Sequence, residues 1–475
     1  MRASTLLVAA LLSVACHDWL VVPPLNDPTP ADIGKNPLTG LQLTATGILF
    51  QDRASYAGYI SDVGIFGRES YNYFSTDGRT HSHYVAQNPL DPAGFAAGGW
   101  APRYTNLRNV KNFLNAVDAT TTLGADSQEA ARGFAKTMEA LELSYITAQR
   151  HDYGAVVEIT SDPTQLAPFV SRDSVQNYVI ARLDEARAHL LAAGTAAFPF
   201  KLHAGFTTNG VFNTPATFVQ FNRAIYARVQ VWRAALGNPA CGPPPGATCY
   251  AAALTGLSEA GVDTTASLNR GVYHLYSTES GDALNGLNQT VSPDLYAHPS
   301  IQPDAPLDTA GQSDARYRLK IRNLTQPACA VGGSAAGICT PLGFQIYPSN
   351  TSPAPIFRNE ELILLQAEAL YFTGNAAGAL ADINFIRRRS GGLAARAPFV
   401  DANDFITELL LQRRYSLLWE GHRWVDVRRF GRISTLPLDL PTHFRQVEQP
   451  VPQAECLQRV GASGGLACPA AVPVP

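Results

Sequence analysis

The stretch ELILLQAEALYFTGNAAGALADINFIRRRSGG, residues 361–392, constrains the fold more than any other part of the chain. Its apolar residues recur at helical spacing on both sides of a central Gly374 and Asn375. Glycine favours the left-handed conformation that ends a helix, and asparagine is a preferred N-cap. Small side chains at Ala367 and Ala369 allow a partner helix to approach closely. The stretch therefore predicts two helices joined by a tight turn, a unit similar to a tetratricopeptide repeat.

Helical patterns also dominate most of the preceding chain. Apolar residues recur at helical spacing in residues 104–117, 175–190 and 218–232, and Ser127 opens a longer helix that runs to about Arg150. Residues 263–355 differ, because Gly, Asn, Pro and Asp appear every few positions without a sustained period. These patterns predict a mainly α protein whose helical pairs form a scaffold interrupted by an irregular region with short strands.

The N-terminal sequence MRASTLLVAALLSVAC predicts export. It has one Arg, a short apolar run and small residues before Cys16, which is typical of a signal peptide over residues 1–15. The same residues resemble a bacterial lipobox, so we expect Cys16 to be lipidated; Ser13, however, stands where that motif usually has Leu. Cleavage by an ordinary signal peptidase is the alternative. Residues 16–33 are Pro-rich and predict an extended tether.

Six further cysteines fit an exported protein, because disulfides persist outside the cytosol. Six cysteines allow fifteen connectivities, but they form three close pairs in Gly/Pro-rich stretches, which favours local closure. The expected disulfides are Cys241–Cys249, Cys329–Cys339 and Cys456–Cys468. A zinc site is a weaker interpretation, since the spacings lack the C-x2-C form and no histidine lies close, and we predict no metal.

The segment LLQRRYSLLWEGHRWVDVRRFGR, residues 410–432, has the composition of an active site. Glu420 and Asp426 are candidates for the acid and base of a glycosidase. Trp419 and Trp424, however, indicate that the segment is half buried, where charges need partners. We therefore expect no catalytic residue here and predict a structural ion-pair seam formed by Arg413, Glu420, Arg423, Asp426 and Arg428.

Ligand capture is predicted instead on aromatic residues that lie beside polar ones in loops, because aromatic faces stack on apolar ligand surfaces while polar groups bind hydroxyls. Two stretches have this composition, residues 71–89 and the irregular region around residues 273–298. For each aromatic, ordinary loop packing is the alternative. The candidate ligand-binding residues are Tyr71, Tyr73, Asp77, Arg79, His81, His83, Tyr84, Tyr273, Tyr296 and His298.

The order of several motifs resembles the SusD/RagB family of outer-membrane nutrient-binding lipoproteins. The resemblance covers nearly the whole chain, although Gln412 replaces the Glu that usually opens the last motif. The matching residues are Cys16 with Asp18 and Trp19, Trp100 with Tyr104, Tyr153 with Gly154, Asp314 with Arg316, Ala367-Glu368-Ala369 with Ile386-Arg387, and Arg413, Glu420, Gly421, Arg423, Asp426 and Arg428.

This resemblance implies four tetratricopeptide-like helical pairs, a SusD-like α-α superhelix, with an irregular ligand-binding region packed on it. We divide the mature chain into an N-terminal helical part over residues 34–262, an irregular insert over 263–355, and C-terminal helical pairs with a disulfide-closed tail over 356–475. The resemblance also implies a lipid-anchored protein on the cell-surface side of the bacterial outer membrane.

Functionally, the resemblance implies a non-enzymatic protein without a cofactor that captures glycans for a SusC-like TonB-dependent transporter. One alternative keeps the fold but binds peptides or another nutrient. A secreted hydrolase and an adaptor that binds only proteins are further alternatives, the first opposed by the lack of a credible catalytic constellation. The formal net charge of −3 argues against nucleic acid as a partner.

Overall fold

The computed structural model describes residues 37–72, 79–160, 162, 164–290, 293–330 and 338–459. Its helices are α1 (Pro37–Phe66), α2 (Arg79–Val85), α3 (Trp100–Ala119), α4 (Ala125–Arg150), α5 (Arg172–Ala192), α6 (Pro215–Ala235), α7 (Ala247–Ala260), α8 (Ala315–Lys320), α9 (Asn359–Phe372), α10 (Ala376–Arg389), α11 (Ala402–Ser416), α12 (Arg423–Arg429) and α13 (Gln453–Arg459). Its strands are β1 (Ser70–Asn72), β2 (Gly271–His274), β3 (Leu295–Ala297), β4 (Ile321–Cys329), β5 (Cys339–Phe344) and β6 (Ala354–Arg358).

Local sequence chemistry sets several helix ends. Gly374 has a φ of 92°, and the side chain of Asn375 accepts a hydrogen bond from the backbone N–H of Gly378 at 2.9 Å. The tight turn predicted between α9 and α10 is therefore confirmed. At the start of α6, the Thr214 hydroxyl accepts from the backbone N–H of Thr217 and a proline occupies the first turn, which satisfies a helix end that would otherwise lack partners.

The helices pack in sequence order, each against its neighbours. α4 lies against α3 and α5, α6 against α5 and α7, and α9 against α7 and α10. Their shared interior is apolar, but it also contains paired charges: Arg103 on α3 donates to Asp52 on α1 at 2.7 Å and to Glu142 on α4 at 2.9 Å. The prediction of a mainly α scaffold made of helical pairs is confirmed.

Short strands cross the otherwise irregular part of the chain. In the described residues they form two-stranded antiparallel sheets that pair β1 with β3, β2 with β6, and β4 with β5. Two predicted disulfides are confirmed: Cys241–Cys249, which ties the first turn of α7 to the residues before it, and Cys329–Cys339, which joins the end of β4 to the start of β5. The third predicted pair includes Cys468, which lies outside the described residues.

Residues 410–432, called the C-terminal segment below, pack against the first helix, α1. The ring of Trp419 lies so close to Gly64 on α1 that a Cβ there would overlap it. Arg423 donates to the carbonyl of Gly67 at 3.1 Å, just beyond the end of α1. Residues about 350 positions apart therefore share one part of the core. Across the described ranges, each helix is too short or too polar to span a bilayer.

Candidate ligand-binding site

Four of the predicted ligand-binding residues lie at or beside the β1–β3 sheet. The two strands pair antiparallel with Tyr71 opposite Tyr296, and His298 follows β3 directly. Helix α2 brings His81 to the same place. The ring of Tyr71 lies 4.8 Å from that of His298 and 5.6 Å from that of His81, both in edge-to-face contact. Tyr71 is fully buried, while Tyr296 is half-buried.

Two residues that the sequence analysis missed complete this group. The Tyr71 hydroxyl and the His298 Nε2 both bond to the carboxylate of Asp439, the second at 3.2 Å. The ring of His443 stacks at a tilt 4.9 Å from that of His81. We call these five residues, Tyr71, His81, His298, Asp439 and His443, the Tyr71 cluster. No local pattern in the segment PLDLPTH reveals its role, because Asp439 contacts His298 across 141 positions and Tyr71 across 368 positions of the chain.

The hydrogen-bond network around His298 fixes the position of its proton. Its Nδ1 accepts from the backbone N–H of Ser300 at 3.1 Å, so Nε2 carries the proton and donates to Asp439. Burial opposes ionisation of Asp439, but this hydrogen bond, the one from Tyr71 and the nearby Arg68 together lower the pKa of Asp439 to about 2. Asp439 is therefore an ionised acceptor at neutral pH, and its side chain is 19% exposed.

The histidines of the Tyr71 cluster stay neutral at pH 7. Burial, with the charge of Arg68, lowers the pKa of His81 and of His443 to about 4. Both ring nitrogens of His443 lack a hydrogen-bond partner among the described residues. A neutral imidazole both donates and accepts, which suits hydroxyl-bearing ligands. Within the same described ranges, no three His, Cys, Asp or Glu side chains are placed to bind one metal ion.

The other predicted residues lie apart from the Tyr71 cluster. Tyr84 is buried and donates to Asp62 at 2.6 Å, and the hydroxyl of Tyr273 on β2 donates to the carbonyl of Asn269 at 2.8 Å. The ring of His83 contacts that of Phe95 at 5.3 Å. Buried rings such as those of Tyr71, Tyr84 and Tyr273 do not offer the open stacking face expected from their composition.

The positions of several other predicted side chains lie outside what the structure describes. Cys16, Tyr73 and Asp77 lie outside the described residues, and Arg79 is described only as the first residue of α2. The strand-like alternation of His81 and His83 was misleading, because both residues lie on that helix. A seven-residue helix is too short for its periodicity to stand out from the sequence.

The carboxylates of the C-terminal segment are buried and bound by cations. Glu420 accepts from the Arg358 Nε and Nη2, each at 2.9 Å, and lies 3.2 Å from the Lys320 Nζ. Asp426 pairs with Arg413 at 2.7 Å and with Arg429 at 3.0 Å. Burial opposes the ionisation of both carboxylates, but these cations lower the pKa of Glu420 and of Asp426 below their usual values.

The remaining arginines expected in the ion-pair seam bond to backbone instead. Arg423 donates to the carbonyl of Gly67, and Arg428 donates to the carbonyls of Val447 and Ala148 at 2.7 and 2.6 Å. Burial is the largest cause that lowers the pKa of Arg423 to about 9 and that of Arg428 to about 10. Both side chains therefore stay charged at pH 7. The segment therefore holds separate chain regions together through buried polar contacts.

A scaffold of helical pairs with an irregular, short-stranded region packed on it defines the class of SusD-like proteins. The model of the SusD family matches residues 347–460. No curated protein matches the chain. The chain is similar to the solved structure of B. fragilis NanU, with 13% identity, a TM-score of 0.66, and coverage of 95% of this chain and 99% of that one.

Two other solved structures show the same likeness. A SusD homolog from Bacteroides thetaiotaomicron has 14% identity and a TM-score of 0.65, covering 88% of this chain and 96% of its own. Surface glycan-binding protein A from Bacteroides fluxus has 15% identity and a TM-score of 0.62, covering 91% and 98%. The SusD family model thus matches the C-terminal part of the chain, and the fold of these solved structures extends over most of it; the predicted resemblance to SusD/RagB proteins is confirmed.

Proposed function

We propose that this protein is a non-enzymatic, lipid-anchored protein of the outer membrane that captures glycans on the cell surface and delivers them to a SusC-like TonB-dependent transporter. The observation that carries the proposal is the family match in residues 347–460 on a chain that has the SusD fold. The Bacteroides fluxus neighbour, named a surface glycan-binding protein, supports glycans as the ligand class. The signal peptide over residues 1–15, Cys16 as the lipidated residue and the three-part division of the mature chain belong to the same proposal.

We place the glycan surface at the Tyr71 cluster and Tyr296. Asp439 supplies a partly exposed, ionised acceptor, and the buried His298 behind it holds that carboxylate in place. Tyr296, opposite Tyr71, is half-buried and offers part of its ring to a sugar face. Tyr73, Asp77 and Arg79 follow β1 directly and remain candidates for the same surface. The predicted contacts through His83, Tyr84 and Tyr273 are less well supported, because those residues lie elsewhere.

A binding role without catalysis is supported by the state of the C-terminal carboxylates. Glycoside hydrolysis uses two carboxyl groups on either side of a bound sugar, one of which delivers a proton. Glu420 and Asp426 are buried and each is held by two cations, so neither carboxylate is available to a sugar. Their lowered pKa values also oppose a role as proton donor at neutral pH.

Calorimetry on the protein without residues 1–16 tests the proposal. We expect binding to at least one member of a polysaccharide panel and none to a pool of peptides. Peptide binding without any glycan binding would favour the alternative in which the fold captures peptides. Incubation of the same panel with the protein, followed by analysis of reducing ends, should show no cleavage; cleavage by the purified wild type would reverse the non-enzymatic assignment.

A matched pair of variants tests the proposed surface. Tyr296→Ala should weaken glycan binding at least about fivefold, because loss of a stacking aromatic costs about 1 kcal/mol or more. Tyr226 on α6 is also half-buried but lies away from the Tyr71 cluster, so Tyr226→Ala should bind like the wild type. Equal effects of the two changes would remove the β1–β3 surface from consideration. Co-purification of the full chain with a SusC-like TonB-dependent transporter from the same organism would test delivery.

A further inference from the structure

A cavity of about 310 Å³ lies in the helical scaffold between α1, α3 and α4. Exposed small residues surround its mouth, among them Ala54, Gly58 and Gly98. Its floor is polar and buried, with Arg103 1% exposed and Gln149 1% exposed. The volume lies at the lower end of ligand pockets, which span roughly 300–1,000 Å³. It therefore has room for one small ring but not for a chain of sugars.

One buried donor at this floor is unused. The Arg103 Nη1 donates to Asp52 and Glu142, at 2.7 and 2.9 Å, while its Nη2 has no hydrogen-bond partner within the described part of the chain. A buried donor without a partner carries an uncompensated desolvation cost. An oxygen atom of a bound molecule would remove that cost, so the cavity favours a ligand that presents an acceptor to Arg103.

The carboxylate of Asp62 is held in place beside Arg103. Its Oδ1 accepts from the Tyr84 hydroxyl at 2.6 Å, and its Oδ2 accepts from Gln149 at 3.2 Å and from Gln449 at 2.9 Å. These contacts fix both the carboxylate and the amide of Gln149 at the cavity wall. The site is therefore organised before any ligand enters.

The charges around the cavity favour a neutral ligand. The positive charge of Arg103 is already opposed by Asp52 and Glu142, and Asp62 adds a third acidic group. An anion would therefore meet no net positive field. A metal cation would find the Asp62 oxygens already engaged by three donors. A hydroxyl group suits this cavity, because it can accept a hydrogen bond from Arg103 and can also donate one to an acidic or amide oxygen.

The rest of the lining is rich in carbon. Pro102 lies at the mouth, and Tyr59 and Tyr84, both nearly buried, form part of the wall. Sugar rings combine apolar C–H faces with hydroxyls at their edges, which matches such a mixed lining. We propose that this cavity is a second ligand site that binds one neutral monosaccharide unit, with Arg103 donating to a sugar oxygen and Gln149 bonding a neighbouring hydroxyl.

This inference builds on the proposed glycan-binding function but concerns a different site. Helix α2 contributes His81 to the Tyr71 cluster and Tyr84 to the cavity, so the two sites border the same short helix. Each site has its own contacts and its own variants. Failure of one can therefore be separated from failure of the other.

A pair of glycines on α1 provides the test. A Cβ added at Gly58 or at Gly47 meets nothing within 4 Å, but only Gly58 lines the cavity. Gly58→Leu should fill the mouth, whereas Gly47→Leu adds the same side chain on the same helix away from it. Both variants should be at least as stable as the wild type, because each removes a glycine that costs about 1 kcal/mol inside a helix.

Binding is measured by saturation-transfer NMR and calorimetry with D-glucose, D-galactose and N-acetyl-D-glucosamine at millimolar concentrations, with D-glucuronate as the charged counterpart. We expect the wild type and Gly47→Leu to bind at least one neutral sugar, and Gly58→Leu to bind it at least tenfold more weakly. D-glucuronate should bind more weakly than D-glucose. Absence of wild-type binding to all three neutral sugars, equal binding by Gly58→Leu, or tighter binding of D-glucuronate would overturn the proposal.

The polysaccharide panel separates this inference from the proposed function. Gly58→Leu should keep polysaccharide binding at the Tyr71 cluster, while Tyr296→Ala should keep monosaccharide binding in the cavity. Loss of both activities in Gly58→Leu would show that the two ligands share one site and would refute a separate cavity site. Polysaccharide binding that fails in the wild type while monosaccharide binding persists would overturn the proposed function and leave the cavity assignment supported.

Discussion

Replacing Glu420 by Gln should destabilise the protein strongly, because the change unbalances a buried cluster of charges. Glu420 is 6% exposed and faces Arg358 and Lys320, and Glu360 supplies the second negative charge by pairing with Arg358. The wild-type cluster thus contains two cations and two anions. Glutamine keeps the shape and one acceptor but leaves one buried positive charge uncompensated. Removing one partner of a buried ion pair costs about 3–5 kcal/mol.

The pH dependence of this loss follows from the pKa of Glu420. Burial raises that pKa, but Arg358 and Lys320 more than offset it, so the folded-state pKa lies below the usual value of 4.5. The contribution of the ionised group is therefore fully present above the unfolded-state pKa and is lost as pH falls through the folded-state pKa. The difference between wild type and Glu420→Gln should be constant from pH 6 upward, by about the same 3–5 kcal/mol, and should shrink below about pH 4.5.

Urea unfolding followed by circular dichroism measures the effect, with Glu185→Gln as the control. Glu185 pairs with Lys136 on the surface and is 44% exposed, so its replacement should cost about 0.2–1 kcal/mol. Both variants make the same chemical change. If Glu420→Gln lowered the free energy of unfolding by no more than Glu185→Gln does, the buried cluster would not stabilise the fold as argued.

Three further predictions concern separate parts of the chain. Burial raises the pKa of Asp382 to about 7, so its ionisation opposes folding; Asp382→Asn should raise the free energy of unfolding at pH 8 by up to about 4 kcal/mol and have no such effect at pH 3 in urea titrations. Replacing Cys241 and Cys249 by Ser opens a loop with a sequence separation of 8 and should lower the free energy of unfolding by about 2–3 kcal/mol. A reducing agent should lower the stability of the wild type by breaking this disulfide, which the variant lacks. Metabolic labelling with a fatty acid should tag the wild type and not Cys16→Ser, and an unlabelled wild type would contradict the proposed anchor.

The sequence predicted those parts of the fold that depend on neighbouring residues. The turn at Gly374 and Asn375 could be predicted because both the left-handed glycine and the capping side chain act within a few positions. Two disulfides could be predicted for the same reason, since each closes a short loop. Helical periodicity likewise indicated the scaffold, because it depends on residues three and four positions apart in the chain.

Contacts between distant residues could not be predicted. Glu420 was expected to pair with arginines of its own segment, but it binds Arg358 at the end of β6 and Lys320 at the end of α8. The contacts of the candidate site could not be predicted for the same reason, because Tyr71 and Asp439 are far apart in the sequence and meet only in the folded chain. Composition indicated which loops are rich in aromatic and polar residues, but it does not determine which of their rings are buried.

The closure of the C-terminal segment on α1 has a consequence for how the protein is made. The apolar face of α1 around Gly64 has no cover until Trp419 has been synthesised, and Arg423 bonds the end of the same helix. A nascent chain released or cut before residue 419 would therefore expose this surface to chaperones and proteases. Partial products should be degraded in the cell and should not accumulate as stable fragments.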